Sequence, residues 1–109
     1  MHADATLKSI QKETKQHDAL LSLVFRALSD PGRFRIFRLL MDHEDLCVSE
    51  IAKVFNQSLP AVSQQLKILE MTGLLVKTRT GQTVCYCLKK DDPIVKTLAR
   101  FITSVDTVL

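Results

Sequence analysis

Large apolar residues recur at three- and four-residue intervals from Asp18 to Leu28, at Leu20, Leu21, Val24, Phe25 and Leu28, a spacing that predicts an amphipathic helix facing a core. Ser29-Asp30-Pro31 ends it. Asp30 is placed to cap a second helix whose first position is Pro31, where a missing N–H costs nothing. That helix runs to about Asp42, with Ile36, Phe37 and Leu40 inward and Arg33, Arg35 and Arg38 among its polar positions. Leu46 to Val48 is too short to be more than the edge of a sheet, and Ser49 reads as the N-cap of a short helix, Glu50 to Phe55. After the polar turn Asn56-Gln57-Ser58, Ser58 caps a fourth helix with Pro60 in its first turn, and Gly73 stops it as a left-handed residue. Leu74 to Thr78 and Thr83 to Lys89 alternate as two strands around Thr80-Gly81-Gln82. Asp92-Pro93 opens a last helix whose apolar stripe, Ile94, Leu98, Phe101, Ile102, Val105 and Leu109, is broad enough to cover two neighbours. Residues 1–16 are polar apart from Leu7 and Ile10; they form an extension, either frayed or continuous with the first helix, ahead of a single domain at 17–109.

The chain has 109 residues, enough for one hydrophobic core and no second domain. No run of about 18 apolar residues could span a bilayer, so no membrane partner is expected. The N-terminus lacks the basic start and apolar run of a secretory signal, which predicts a cytoplasmic protein with reduced thiols. Three cysteines without a C-x-x-C exclude a disulfide scaffold, and without a Cys–His pair they speak against a thiol oxidoreductase; no enzyme is expected. Charge is informative through its placement. From Ser58 to Lys90 the chain carries Lys67, Lys77, Arg79, Lys89 and Lys90 against Glu70 alone, whereas Asp42 to Gln57 is acidic. A basic segment on an otherwise balanced domain suits a phosphate backbone, or is simply a solvated face. On the fourth helix, Val62, Leu66 and Leu69 line one side, and the other shows Ala61, Ser63, Gln64 and Lys67 with no acid among them.

The order helix, helix, short strand, helix, helix, hairpin, helix is that of a winged helix-turn-helix, mainly α with a small β-hairpin. Residues 27–33 (ALSDPGR) and 46–52 (LCVSEIA) resemble segments of the ArsR/SmtB family, and residues 58–69 (SLPAVSQQLKIL) and 72–76 (TGLLV) are similar to its recognition helix and exit. The likeness spans residues 20–109. It implies a homodimer joined through the first and last helices, repressing transcription from an inverted-repeat operator and released by a metal ion or a thiol modification. Two features depart from the family's sensors. Ser49 stands where an arsenite sensor has its second cysteine, and no histidine occurs from Asp92 to Leu109, where zinc sensors place ligands.

On that frame Gln64 and Gln65 are the expected base readers, because a glutamine amide can pair with adenine in the major groove. Ser58, Pro60, Ala61, Ser63 and Lys67 are expected along the same contact with DNA, the serines and Lys67 at phosphates, and Lys77, Arg79 and Gln82 on the hairpin. Leu98, Ile102, Val105 and Leu109 are the expected dimer contacts. If Leu46 and Val48 face the core, Cys47, Cys85 and Cys87 share the opposite face of the sheet, where they could sense oxidation, bind arsenite, zinc or another soft ion, or only fill gaps. His2, His17 and His43 are scattered and expected to face solvent, and Met41 and Met71 to pack. The rival reading from the interaction class is a winged helix that binds only protein.

Overall fold

The computed structural model describes residues 1–109 apart from the side chains of Gln16 and His17, so the expectation for His17 lies outside the described residues. The elements are α1 (Asp4–Ser29), α2 (Pro31–Asp42), β1 (Leu46–Cys47), α3 (Val48–Phe55), α4 (Leu59–Met71), β2 (Leu75–Thr80), β3 (Thr83–Leu88) and α5 (Pro93–Val108). Three N-caps work as the sequence implies. The Asp30 carboxylate accepts from Arg33 N at 3.0 Å, Ser58 Oγ from Ala61 N at 3.3 Å, and Asp92 Oδ1 from Ile94 N at 2.8 Å. Each satisfies an orphan donor at a helix start that carries Pro in its first turn.

The N-terminal extension takes the continuous of its two expected forms, and the start of α3 differs from the sequence expectation. α1 is a single helix of 26 residues that runs through the polar extension. α3 begins at Val48, not Glu50, with Cys47 rather than Ser49 as its N-cap: Cys47 is extended, and its backbone N–H donates to Glu50 Oε1 at 2.9 Å, so the acid three residues on closes the helix start. The turn into α4 needs a left-handed residue, supplied by Asn56 at φ 52°, and α4 ends against Gly73 at φ 87°.

The sheet has the order β1-β3-β2, antiparallel throughout. Its register sorts the side chains. Leu46 lies opposite Tyr86, Lys77 opposite Tyr86 from the other side, and Arg79 opposite Val84, so these share one face; Cys47 opposite Cys85, and Cys87 opposite Val76, occupy the other. The core gathers Val24 and Ala27 of α1, Ile36, Phe37 and Leu40 of α2, Ile51 of α3, Val62, Leu66 and Leu69 of α4, Tyr86 and Leu88 of β3, and Val95 and Ile102 of α5. Each large member contributes about 1.5–3 kcal/mol by leaving water. This core fixes α4 and the hairpin as one unit. α1 joins it only at its C-terminal end, and no residue before Val24 is buried among the described residues.

Candidate nucleic-acid interface

Burying Val62, Leu66 and Leu69 turns the opposite side of α4 to solvent, and it exposes Ser58, Pro60, Ala61, Ser63, Gln64 and Lys67. The hairpin rises beside that side. Lys77 and Arg79 project from the face of β2 that they share with Tyr86, toward α4, and the two-residue turn Gly81-Gln82 forms the tip, Gly81 taking φ 64°. Between α4 and the hairpin lies an open groove of about 510 Å³ lined by Ser63, Lys67, Lys77, Arg79 and Gln82, five of the DNA contacts expected from sequence, and by Cys47.

Gln65 is a correction. Its amide is turned inward and half-buried: Oε1 accepts from Arg33 Nη1 at 3.0 Å, and Nε2 donates to Asp30 Oδ2 at 3.2 Å. Both polar ends are committed to the corner between α1 and α2, so Gln65 positions the helix and Gln64 is left as the glutamine free to reach a base. Arg33 completes the corner by donating from Nε to the Ala27 carbonyl at 2.7 Å, which ties the end of α1 to α2 and α4. Gly32 makes room, since a Cβ there would stand 3.3 Å from Gln65 Nε2 and 3.2 Å from Asp30 Oδ2.

Ser49, Glu70 and Tyr86 are among the groove residues that the sequence reading did not assign to the site. Ser49 is exposed at the groove's α3 wall. Glu70 is the acid among these basic side chains, and Tyr86 forms the floor with a phenol whose pKa is raised, chiefly by burial and then by Glu70, against the opposing pull of Arg79. Alternation with Lys77 across the hairpin was the signal for Tyr86; nothing local marked Glu70.

The thiols do share one sheet face, but not as three free groups. Cys47 and Cys85, directly opposed in register, are joined as a disulfide in this structure. Cys87 is free and half-buried. It lines a separate groove with Glu44 and Asp45, and its thiol pKa is raised, first by burial and then by Asp45.

The expected dimer stripe divides. Ile102 is 6% exposed and belongs to the chain's own core, a second correction, because α5 must bury one side against α2 and the sheet before it can offer another. Leu98 and Val105 lie half-buried at the margin and Leu109 is exposed at the terminus. The apolar residues α5 does expose are Phe101 at 65% and Val108 at 81%, and α1 exposes Leu21 and Phe25 beside a shallow cavity closed by Ile94 and Leu98.

Residues 30–77 match the family model described as bacterial regulatory protein, arsR family. Among curated proteins the chain is 32% identical over 98 residues to the cadmium resistance transcriptional regulatory protein CadC homolog of Staphylococcus aureus, covering 90% of this chain and 79% of that one. The chain belongs to the ArsR family. This ArsR-family chain is also 40% identical over 65 residues to the transcriptional repressor SdpR of Bacillus subtilis, covering 60% of this chain and 71% of SdpR. Its fold matches reduced HlyU from Vibrio cholerae with a TM-score of 0.74 at 26% identity, over 86% of this chain and 96% of HlyU. As a member of the family it is a DNA-binding transcriptional regulator of the repressor type and not an enzyme.

Proposed function

We propose that the chain acts in the cytoplasm as a homodimeric repressor, residues 17–109 forming the winged helix-turn-helix and residues 1–16 extending α1 across the partner. Gln64 reads bases. Ser58, Pro60, Ala61 and Ser63 lie against the strand with Lys67, and Lys77, Arg79 and Gln82 bind phosphates or enter the minor groove beside the wing. The observation that carries this reading is the groove that places Lys67, Lys77 and Arg79 together between α4 and the hairpin. A dimer built on the exposed faces of α1 and α5, with Leu98 and Val105 at the margin and Phe101 and Val108 at the centre, would set two copies of α4 about 34 Å apart on an inverted repeat.

Several relatives are named as cadmium or arsenic regulators. The donors here do not fit a soft ion in the bonded state: Cys47 and Cys85 hold each other, Cys87 lies apart, and among the described residues no three His, Cys, Asp or Glu side chains converge. Control therefore falls to the Cys47–Cys85 pair. The disulfide ties β3 of the wing to the N-cap of α3, and Cys47 itself lines the α4 groove beside Ser49. We read the reduced pair as the form that binds DNA in the cytoplasm, and the Cys47–Cys85 bond, which fixes the wing to α3 at the groove wall, as the oxidised form released from it.

The test is selection of bound duplexes from a random pool, followed by titration over a range of salt. A selected inverted repeat bound with a steep salt dependence supports the reading. Binding without salt dependence, or none, leaves the protein-only winged helix.

A further inference from the structure

A second groove, of about 640 Å³, runs along the other side of α5, between that helix, the end of α2 and the end of β3. Its volume lies within the range of about 300–1,000 Å³ typical of small-molecule sites. Met41, Leu88, Val95 and Ala99 line it with apolar surface; Leu88 and Val95 are buried members of the core. Lys90, Lys96 and Arg100 border it, and Asp42 is its single acid. Lys90 is paired with Glu44, but among the described residues neither Lys96 nor Arg100 has an acidic partner. No residue of α4 or β2 contributes, so the groove is separate from the DNA face, and it excludes Phe101 and Val108, the exposed apolar residues of α5.

We infer that this groove binds a small amphipathic organic anion, a carboxylate with an aliphatic or aromatic body, as an effector. The apolar lining takes the body, and Lys96 and Arg100 meet the charged head where each can act without first breaking an ion pair. Charge complementarity favours an anion as occupant, since Lys90, Lys96 and Arg100 border the groove against Asp42 alone.

The groove's walls are the two helices on which the proposed function depends. One turn back from Met41, Arg38 pairs with Asp106 in a two-pronged contact of 2.9 and 2.7 Å, joining α2 to α5. The start of α2 holds α4 through Arg33 and Gln65, and α5 carries the proposed dimer face. A ligand seated between the helices shifts α2 against α5, and with it the spacing of the two recognition helices. That effect on DNA rests on the repressor reading; the binding itself does not.

The experiment is a titration of ¹⁵N-labelled full-length protein with decanoate below its micelle concentration, with decanol as the uncharged twin. Saturable shifts at Met41, Leu88 and Ala99 are expected, with decanol about tenfold weaker, as is decanoate on the Lys96→Glu/Arg100→Glu variant. Ala99→Trp should abolish binding by filling the groove; the charge variant, altered only at exposed positions, keeps the test decisive should Ala99→Trp fail to fold. No saturable shift, shifts centred on Phe25 and Phe101, or equal binding of decanol would overturn the site. Decanoate that binds in the groove yet leaves affinity for the selected duplex unchanged would overturn the effector role, and absence of DNA binding by the ligand-free protein would count against the repressor reading alone.

Discussion

Replacing Arg33 by Met keeps the aliphatic stem and removes the guanidinium that joins α1, α2 and α4. Two well-formed bonds go, to the Ala27 carbonyl at 2.7 Å and to Gln65 Oε1 at 3.0 Å, together with a longer one to the Arg26 carbonyl at 3.4 Å. A hydrogen bond to a charged group contributes about 1.5–3 kcal/mol, and because this corner is only half-buried, water recovers part of the loss, leaving about 2–3 kcal/mol for the whole. In a domain of this size that lowers Tm by about 10–20 °C, measured at fixed protomer concentration. Gln65→Ala should cost about 1–2 kcal/mol, since it orphans Arg33 Nη1 and leaves Asp30 Oδ2 with only the Arg33 backbone N–H of its two donors, whereas exposed Gln64→Ala should stay within about 0.5 kcal/mol. Urea unfolding of Arg33→Met, Gln65→Ala and the double variant closes a cycle, in which the two changes should be coupled by about 1 kcal/mol. In DNA titrations Gln64→Ala should flatten sequence preference. The reasoning fails if the two corner variants are additive and Gln65→Ala keeps full stability while losing base preference, for then Gln65 reads DNA after all.

Lys67→Ala and Arg79→Ala should each lower the slope of log affinity against log salt by about 0.9, and an unchanged slope would take that side chain off the phosphates. Phe101→Asp should yield folded monomers in sedimentation, whereas Ile102→Asp should unfold the chain by circular dichroism; a Phe101→Asp dimer would remove α5 from the interface. Cys85→Ser, or wild type under dithiothreitol, should bind DNA several-fold more tightly than the bonded form, and weaker binding on reduction would reverse the proposed direction. Cys87→Ser should respond to dithiothreitol as wild type does. Burial and Asp45 raise the Cys87 pKa, so the fold favours the thiol: that contribution to stability is full below the unfolded-chain pKa and is lost as pH rises through the folded value. Alkylation of Cys87 at pH 8 should accordingly be slower in the folded protein than in urea, and faster in Asp45→Asn.

Features written in adjacent residues were legible. Asp30, Ser58 and Asp92 each sit just ahead of a Pro-containing first turn, and a cap bonds within three residues, so sequence carries both partners. The α3 start was misread because Ser49 is the better cap by residue type, while the box is closed by Glu50 reaching back to Cys47. Its signal, an acid three residues on, was present. Gln65 and Ile102 failed for another reason. Periodicity says that a side of a helix differs from its opposite, but a residue near the edge of the stripe is assigned by what arrives from elsewhere. For Gln65 that is Arg33, thirty-two residues away; for Ile102 it is the core of the chain itself. The thiols show the same limit: alternation placed three of them on one face, and strand register then chose Cys85 over Cys87 as the partner of Cys47.

Most of α1 is a helix without a floor. Leu7 and Ile10 are exposed, as are Leu20, Leu21, Leu23 and Phe25, and the core takes hold only at Val24. Helices that bury nothing are marginal in water, so the length of α1 is supported by whatever it lies against. With a second chain as that support, the copy number of the protein becomes a control variable. Below the dimerisation constant the DNA-binding species grows as the square of the chain concentration, and operator occupancy turns on more steeply than for a monomer. Dilution by cell growth would then lift repression abruptly, a threshold response from a domain that presents one DNA face per chain.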